Sequence, residues 1–115
     1  MKISKGSLEQ IDFGGLGIVD YTAGHDLSSS IAEIAVPPGA RHPRAYSKRS
    51  DKYYYVVSGH VEFDVDDRSF GLDPGDVCII LKGQRFSYRN TSEQPAKVVL
   101  VHTPSFDLES EAFEE

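Results

Sequence analysis

The stretch DPGDVCIILKGQRFSYRN, Asp73 to Asn90, decides the fold. It opens on Pro74-Gly75, runs through the apolar segment VCII, turns at Lys82-Gly83 and resumes as RFSYRN. Proline cannot donate to a ladder and glycine tolerates tight turns, so two turn signals bracket a run too short for a helix. The same pattern extends outward in both directions. HVEFDVDD alternates, with Val61, Phe63 and Val65 against Glu62, Asp64 and Asp66, as a half-buried strand does. KYYYVVSG is rich in aromatic and β-branched residues. SSIAEIAV places Ile31, Glu33 and Ala35 on one face and Ala32, Ile34 and Val36 on the other, then stops at Pro37-Pro38-Gly39. LEQIDF and LGIVDYT precede it, and AKVVLVHT follows the polar turn NTSEQPA. Helical spacing of apolar residues is not sustained anywhere. Many short strands at close spacing predict an all-β antiparallel barrel or double-sheet sandwich.

The chain has 115 residues, which fits one domain able to bury its own core. Residues 1–106 are expected to form it, and residues 107–115, DLESEAFEE, to form an acidic tail that is either a short helix or a solvated end. One cysteine, Cys78, excludes an internal disulfide and a Cys-rich zinc site, and its apolar surroundings predict a buried, inert thiol. The N-terminal segment MKISKGSLEQ lacks the apolar stretch of a secretory leader, and no run reaches the length of a membrane span. A cytoplasmic setting is the expectation.

Net charge is −6, which argues against general nucleic-acid binding. The charges are nonetheless segregated. Residues 41–52, RHPRAYSKRSDK, carry five cations and one anion, and residues 82–90 carry three cations and no anion. The tail carries five acids.

With these turns in order, the chain from Val36 to His102 resembles a small cupin, a jelly-roll barrel also called a double-stranded β-helix. Cupins carry two motifs. The second runs glycine, five residues, proline, one residue, glycine, two residues, histidine, three residues, asparagine. Here it becomes Gly75, then Leu81 for the proline, Gly83, Phe86 for the histidine, and Asn90. The first motif ends on Gly59, which places Lys52 at its glutamate and either Ala45 and Ser47, or Tyr46 and Lys48, at its histidines. The glycine scaffold is kept and all four metal positions are replaced. Neither Ala45 nor Phe86 has a ligand atom, and a lysine ammonium repels a cation, so neither metal nor other cofactor is expected.

Strand alternation then puts Tyr54 and Val56 on the face of Lys52, and Tyr88 on the face of Phe86. Ser47, Lys52, Tyr54, Phe86 and Tyr88, with His102 at the barrel mouth, form the expected ligand site for a small polar or anionic molecule, in keeping with sugar chemistry. Two other readings stay open. One is an enzyme of the sugar isomerase, epimerase or lyase kind, pairing His42 or His102 with a tyrosine. The other is a plugged barrel serving as a protein-interaction scaffold. His25 and His60 read as surface residues, and His42 as part of a proline-flanked loop. The basic segments would meet around the mouth, either drawing anions, or as a solvated face, or as a dock for the acidic tail. The family likeness also implies a homodimer.

Overall fold

Most of the prolines and glycines that punctuate the sequence fall between strands in the computed structural model, which describes residues 1–114. In chain order these are β1 (Ile11–Phe13), β2 (Leu16–Asp20), β3 (Ser30–Val36), β4 (Arg41–Ser47), β5 (Asp51–Ser58), β6 (Val61–Val65), β7 (Arg68–Leu72), β8 (Val77–Ile80), β9 (Phe86–Arg89), β10 (Ala96–Thr103) and β11 (Glu111–Phe113). They form two antiparallel sheets, β1-β2-β3-β10-β5-β8 and β11-β4-β9-β6-β7. Among the described residues, no helix is long and apolar enough to cross a membrane.

Alternation explains how the sheets close on each other. On β5, Lys52, Tyr54 and Val56 are buried while Tyr53, Tyr55 and Val57 are not. On β6, Val61, Phe63 and Val65 point inward, and on β10 the buried set is Ala96, Val98, Leu100 and His102. Phe63 stacks on Tyr88 at 5.0 Å between ring centres and meets Tyr54 edge-on at 5.2 Å, so one aromatic cluster joins the two sheets. Fully burying one such side chain stabilises the fold by about 1.5–3 kcal/mol. The motif asparagine is structural: Asn90 Nδ2 donates to the carbonyls of Val36 and Gln94, and its Oδ1 accepts from Ser92 N. Cys78 is buried, and burial raises its thiol pKa to about 11.

Two expectations are corrected. The segment around His42 is not a loop but strand β4. Its disguise is a bulge: His42 pairs with Tyr88 and Ala45 with Phe86, so β4 has one more residue than β9 between the same two rungs. The extra residue breaks the two-residue period and accommodates Pro43. The acidic tail, in turn, is no solvated end. Leu108–Ser110 form a 3₁₀ turn, and β11 adds to the sheet edge, with Glu111, Ala112 and Phe113 opposite Ser47, Tyr46 and Ala45. Glu114 then lies 3.6 Å from Arg44 and 3.5 Å from Arg85, so the tail docks on basic residues of its own chain. Glu115 lies outside the described residues.

The outer face of the six-stranded sheet carries an apolar patch centred on β5, β8 and β10. Val101 sits opposite both Ile31 and Tyr53, and Tyr53 opposite Ile79; Tyr55 sits opposite both Val99 and Val77. Val77 and Ile79 are each 52% exposed.

Candidate functional site

At one end the barrel is not filled. A cavity of about 210 Å³ lies between the sheets, lined by His42 from β4, Lys52 and Tyr54 from β5, Tyr88 from β9 and His102 from β10. Its rim comes from the two terminal regions, with Phe13 on one side and Phe106, Glu111 and Phe113 on the other. Most of the wall is hydrocarbon and ring, with a few polar groups converging on it, which is how small-molecule sites are built.

Lys52 is the centre of the polar group. Its ammonium donates to His102 Nε2 at 2.8 Å and to Glu111 Oε1 at 2.5 Å, and its side chain is 4% exposed. Burial lowers the Lys52 pKa below the ordinary lysine value, while the Glu111 carboxylate opposes that shift. Burial, and then the Lys52 charge, push His102 down to about 3. His102 is therefore neutral at ordinary pH. Because Nε2 accepts from Lys52, the ring proton sits on Nδ1.

The other half of the site is aromatic. His42 stacks on Tyr88 at 5.2 Å between ring centres, with Phe86 at 5.0 Å and Phe13 at 5.6 Å. The Nδ1 of His42 lies 2.7 Å from the Pro43 carbonyl. A carbonyl only accepts, so Nδ1 carries the hydrogen and Nε2 is the basic nitrogen of the neutral ring. Burial raises the pKa of both Tyr54 and Tyr88 above the ordinary phenol value, so both remain neutral donors. Tyr88 has a further property. Among the described residues its hydroxyl is the one buried side-chain polar atom with no partner at hydrogen-bond distance, though the Tyr54 phenol is near enough to oppose part of the burial shift. Leaving such a group unsatisfied costs about 1–3 kcal/mol.

Lys52, Tyr54, Tyr88 and His102 thus come together on the cavity. Ser47 and Phe86 are buried behind the wall. The Ser47 hydroxyl accepts from the backbone N–H groups of Arg49 and Ser50, which closes the β4–β5 turn. The Phe86 ring lies 5.3 Å from Lys52 Nζ and supports it from behind. Lys52 faces inward, where a cupin would hold its metal-binding glutamate. Among the described residues no three of His, Cys, Asp or Glu gather as a metal-holding group, so the donor set does not fit a resident divalent cation. His25 is exposed, and His60 lies on the surface against Asp73 at 2.8 Å. Sequence reasoning missed Glu111 and the rim aromatics Phe13, Phe106 and Phe113. Each belongs to a terminal segment of β1 or the C-terminal stretch, too short to show a period.

The His102 shift fixes a pH dependence. An unfolded histidine titrates near 6.5, the folded one near 3. Between those values the unfolded chain holds a proton that the folded chain lacks. The contribution is therefore fully present above about pH 6.5 and is lost as pH falls toward 3. At pH 5 the loss from this group is about 2 kcal/mol. Urea unfolding at pH 7 and pH 5 should show that drop in the wild type and a smaller one in His102→Gln; equal drops would remove His102 from the account.

A cupin domain family model matches residues 32–102. Protein SchB of Streptomyces halstedii is 36% identical over 72 residues, covering 63% of this chain and 52% of that protein. The tetracenomycin polyketide synthase protein TcmJ of Streptomyces glaucescens is 29% identical over 77 residues, covering 67% of this chain and 52% of that protein. The chain spans about half the length of these curated relatives. Among solved structures, Streptomyces Pac13, a nucleoside dehydratase, superposes in a histidine-to-glutamine variant with uridine. That TM-score is 0.87 at 22% identity, over 99% of this chain and 90% of the other. Pac13 is also solved with uridine in two tyrosine-to-phenylalanine variants.

Proposed function

The chain belongs to the cupin domain family, and we propose that it is a metal-independent lyase that binds a small sugar-bearing molecule in its cavity and eliminates water from it. The observation that carries this reading is the convergence of His42, Tyr54 and Tyr88 on one cavity, with the Tyr88 hydroxyl buried and unpartnered. A ligand oxygen beside Tyr88 would satisfy that hydroxyl. The altered histidine and tyrosines of Pac13, a nucleoside dehydratase, are residue types found at this cavity, which supports the same class of chemistry.

The chemistry follows from the groups. His42 Nε2 removes a proton from a carbon beside a carbonyl of the substrate. The electron pair moves onto the carbonyl oxygen, where the Tyr88 hydroxyl donates to the developing enolate. The enolate reforms its carbonyl, the C–O bond one carbon further breaks, and the leaving hydroxide takes the proton back from the His42 imidazolium as water. No metal, oxidant or reductant is consumed. The rim aromatics would hold the substrate's flat part and keep solvent out. The open cavity weighs against a plugged scaffold.

Uridine and nucleosides bearing a carbonyl on the sugar are the first probes. Binding should raise the thermal midpoint, and incubation with the carbonyl-bearing forms should yield a product lighter by one water in mass spectra. A protein inert to every such probe, in both midpoint and mass, would sink the reading. For the homodimer expected from the family likeness, we propose the apolar patch on the outer face of the six-stranded sheet. Sedimentation of Ile79→Asp as a monomer beside a dimeric wild type would support that face, and an unchanged mass would discard it.

A further inference from the structure

A buried lysine in a ligand cavity invites an anion, yet here the invitation is already answered. Glu111 places a carboxylate 2.5 Å from Lys52 Nζ, and its side chain is only 7% exposed. The carboxylate is not a chance visitor. The backbone of β11 pairs with β4, so Glu111 is held opposite Ser47. The strand is anchored on both sides: Lys48 N donates to the Ser110 carbonyl, and Glu114 N to the Arg44 carbonyl.

The Lys52 charge at this end of the cavity is thereby neutralised within the protein. Lys52 brings one positive charge, Glu111 one negative, and His102 is neutral. Asp20 on the wall adds another negative charge. A phosphorylated or carboxylated ligand has two ways in. It can displace the Glu111 carboxylate, which strips a buried anion of its partner, or it can add a second uncompensated anion to an apolar space. Both are costly. A neutral polyol meets neither barrier and can still hydrogen-bond to Tyr54, Tyr88 and the His102 Nδ1–H.

We propose that Glu111 is an internal counter-ion that sets the ligand class of the cavity, admitting neutral hydroxyl-bearing molecules and rejecting anionic ones. This rests on the small-molecule reading above and narrows it, since the sequence pattern left both polar and anionic ligands open. It also makes the C-terminal strand, at the edge of the five-stranded sheet, the element that decides specificity.

Two arms test it. In the first, inorganic phosphate is compared with sodium chloride at matched ionic strength. Phosphate should raise the thermal midpoint of Glu111→Gln, and should fail to raise that of the wild type or of Glu111→Gln/Lys52→Met beyond the chloride control. In the second, calorimetry compares uridine with its monophosphate. The wild type should favour uridine by roughly tenfold or more, and Glu111→Gln should narrow or reverse that preference. A wild-type midpoint as responsive to phosphate as the variant's, or a wild type binding the monophosphate at least as tightly as uridine, overturns the proposal. The wild-type measurements stand even if the variant does not fold. Should uridine fail to bind while Glu111→Gln gains its phosphate response, the dehydratase reading falls and the role of Glu111 holds.

Discussion

Replacing His42 with glutamine is expected to lower turnover by about a hundred- to ten-thousand-fold while leaving uridine binding within a small factor of wild type. Glutamine keeps a hydrogen-bonding tip of similar reach, so the cavity stays formed, but it has no nitrogen that accepts a proton near neutral pH. The ring also packs against Phe13, Phe86, Tyr88 and Phe113, so some stability goes with it, and a urea midpoint should be taken alongside. Tyr88→Phe is the informative companion. It removes a buried hydroxyl that has no partner in the free protein, so the chain should gain stability as it loses turnover. A group kept at a cost to folding and missed by the reaction is the signature of a functional constraint. Unaltered product formation in both variants would place the chemistry elsewhere or nowhere.

The sequence marked the frame of this site better than its working groups, and the reason is physical. Gly59, Gly75 and Gly83 all have positive φ, and the strands between them alternate cleanly. Turn chemistry and two-residue periodicity are local, so a reader of the chain finds them. On that frame the cupin motif spacing turns Lys52 and Phe86 inward, parity then adds Tyr54 and Tyr88, and His102 follows from its place at the end of the last predicted strand. The sequence offers His42 as a candidate base but sets it in a loop, because its parity is reset by a bulge whose cause lies partly in the partner strand, where Tyr88 and Phe86 fix the rungs. Glu111 escaped for a stronger reason. Three residues cannot display a period, and an acid in an acidic run reads as solvated until a lysine on a strand 59 positions earlier is brought to it. The replacement of the motif's ligand residues was legible because it is a matter of residue type at fixed spacing. The counter-ion that answers the new lysine was not, because it is a matter of topology.

Gly59→Ala tests the frame itself, with an expected loss of about 2–5 kcal/mol against a net stability of about 5–15 kcal/mol. Gly59 turns the chain from β5 to β6 with φ of 79°. Its conformation alone makes alanine costly, by about 1–2 kcal/mol. The surroundings add to that. A Cβ there would fall 2.7 Å from Ala96 Cα, from Ala96 Cβ and from the Pro95 carbonyl oxygen. Two of those three atoms are backbone, and Ala96 begins β10, which is laddered to β3 on one side and β5 on the other. Relief would require moving the central strand of the six-stranded sheet. Gly83 supplies the control. It also turns with positive φ, 86°, but a Cβ there meets nothing within 4 Å. Gly83→Ala should therefore show the conformational cost and little else. Urea unfolding of the two variants separates the contributions: a clearly larger loss at Gly59 identifies close packing of the motif turn on β10, whereas equal losses would mean that both glycines serve only their own backbone angles.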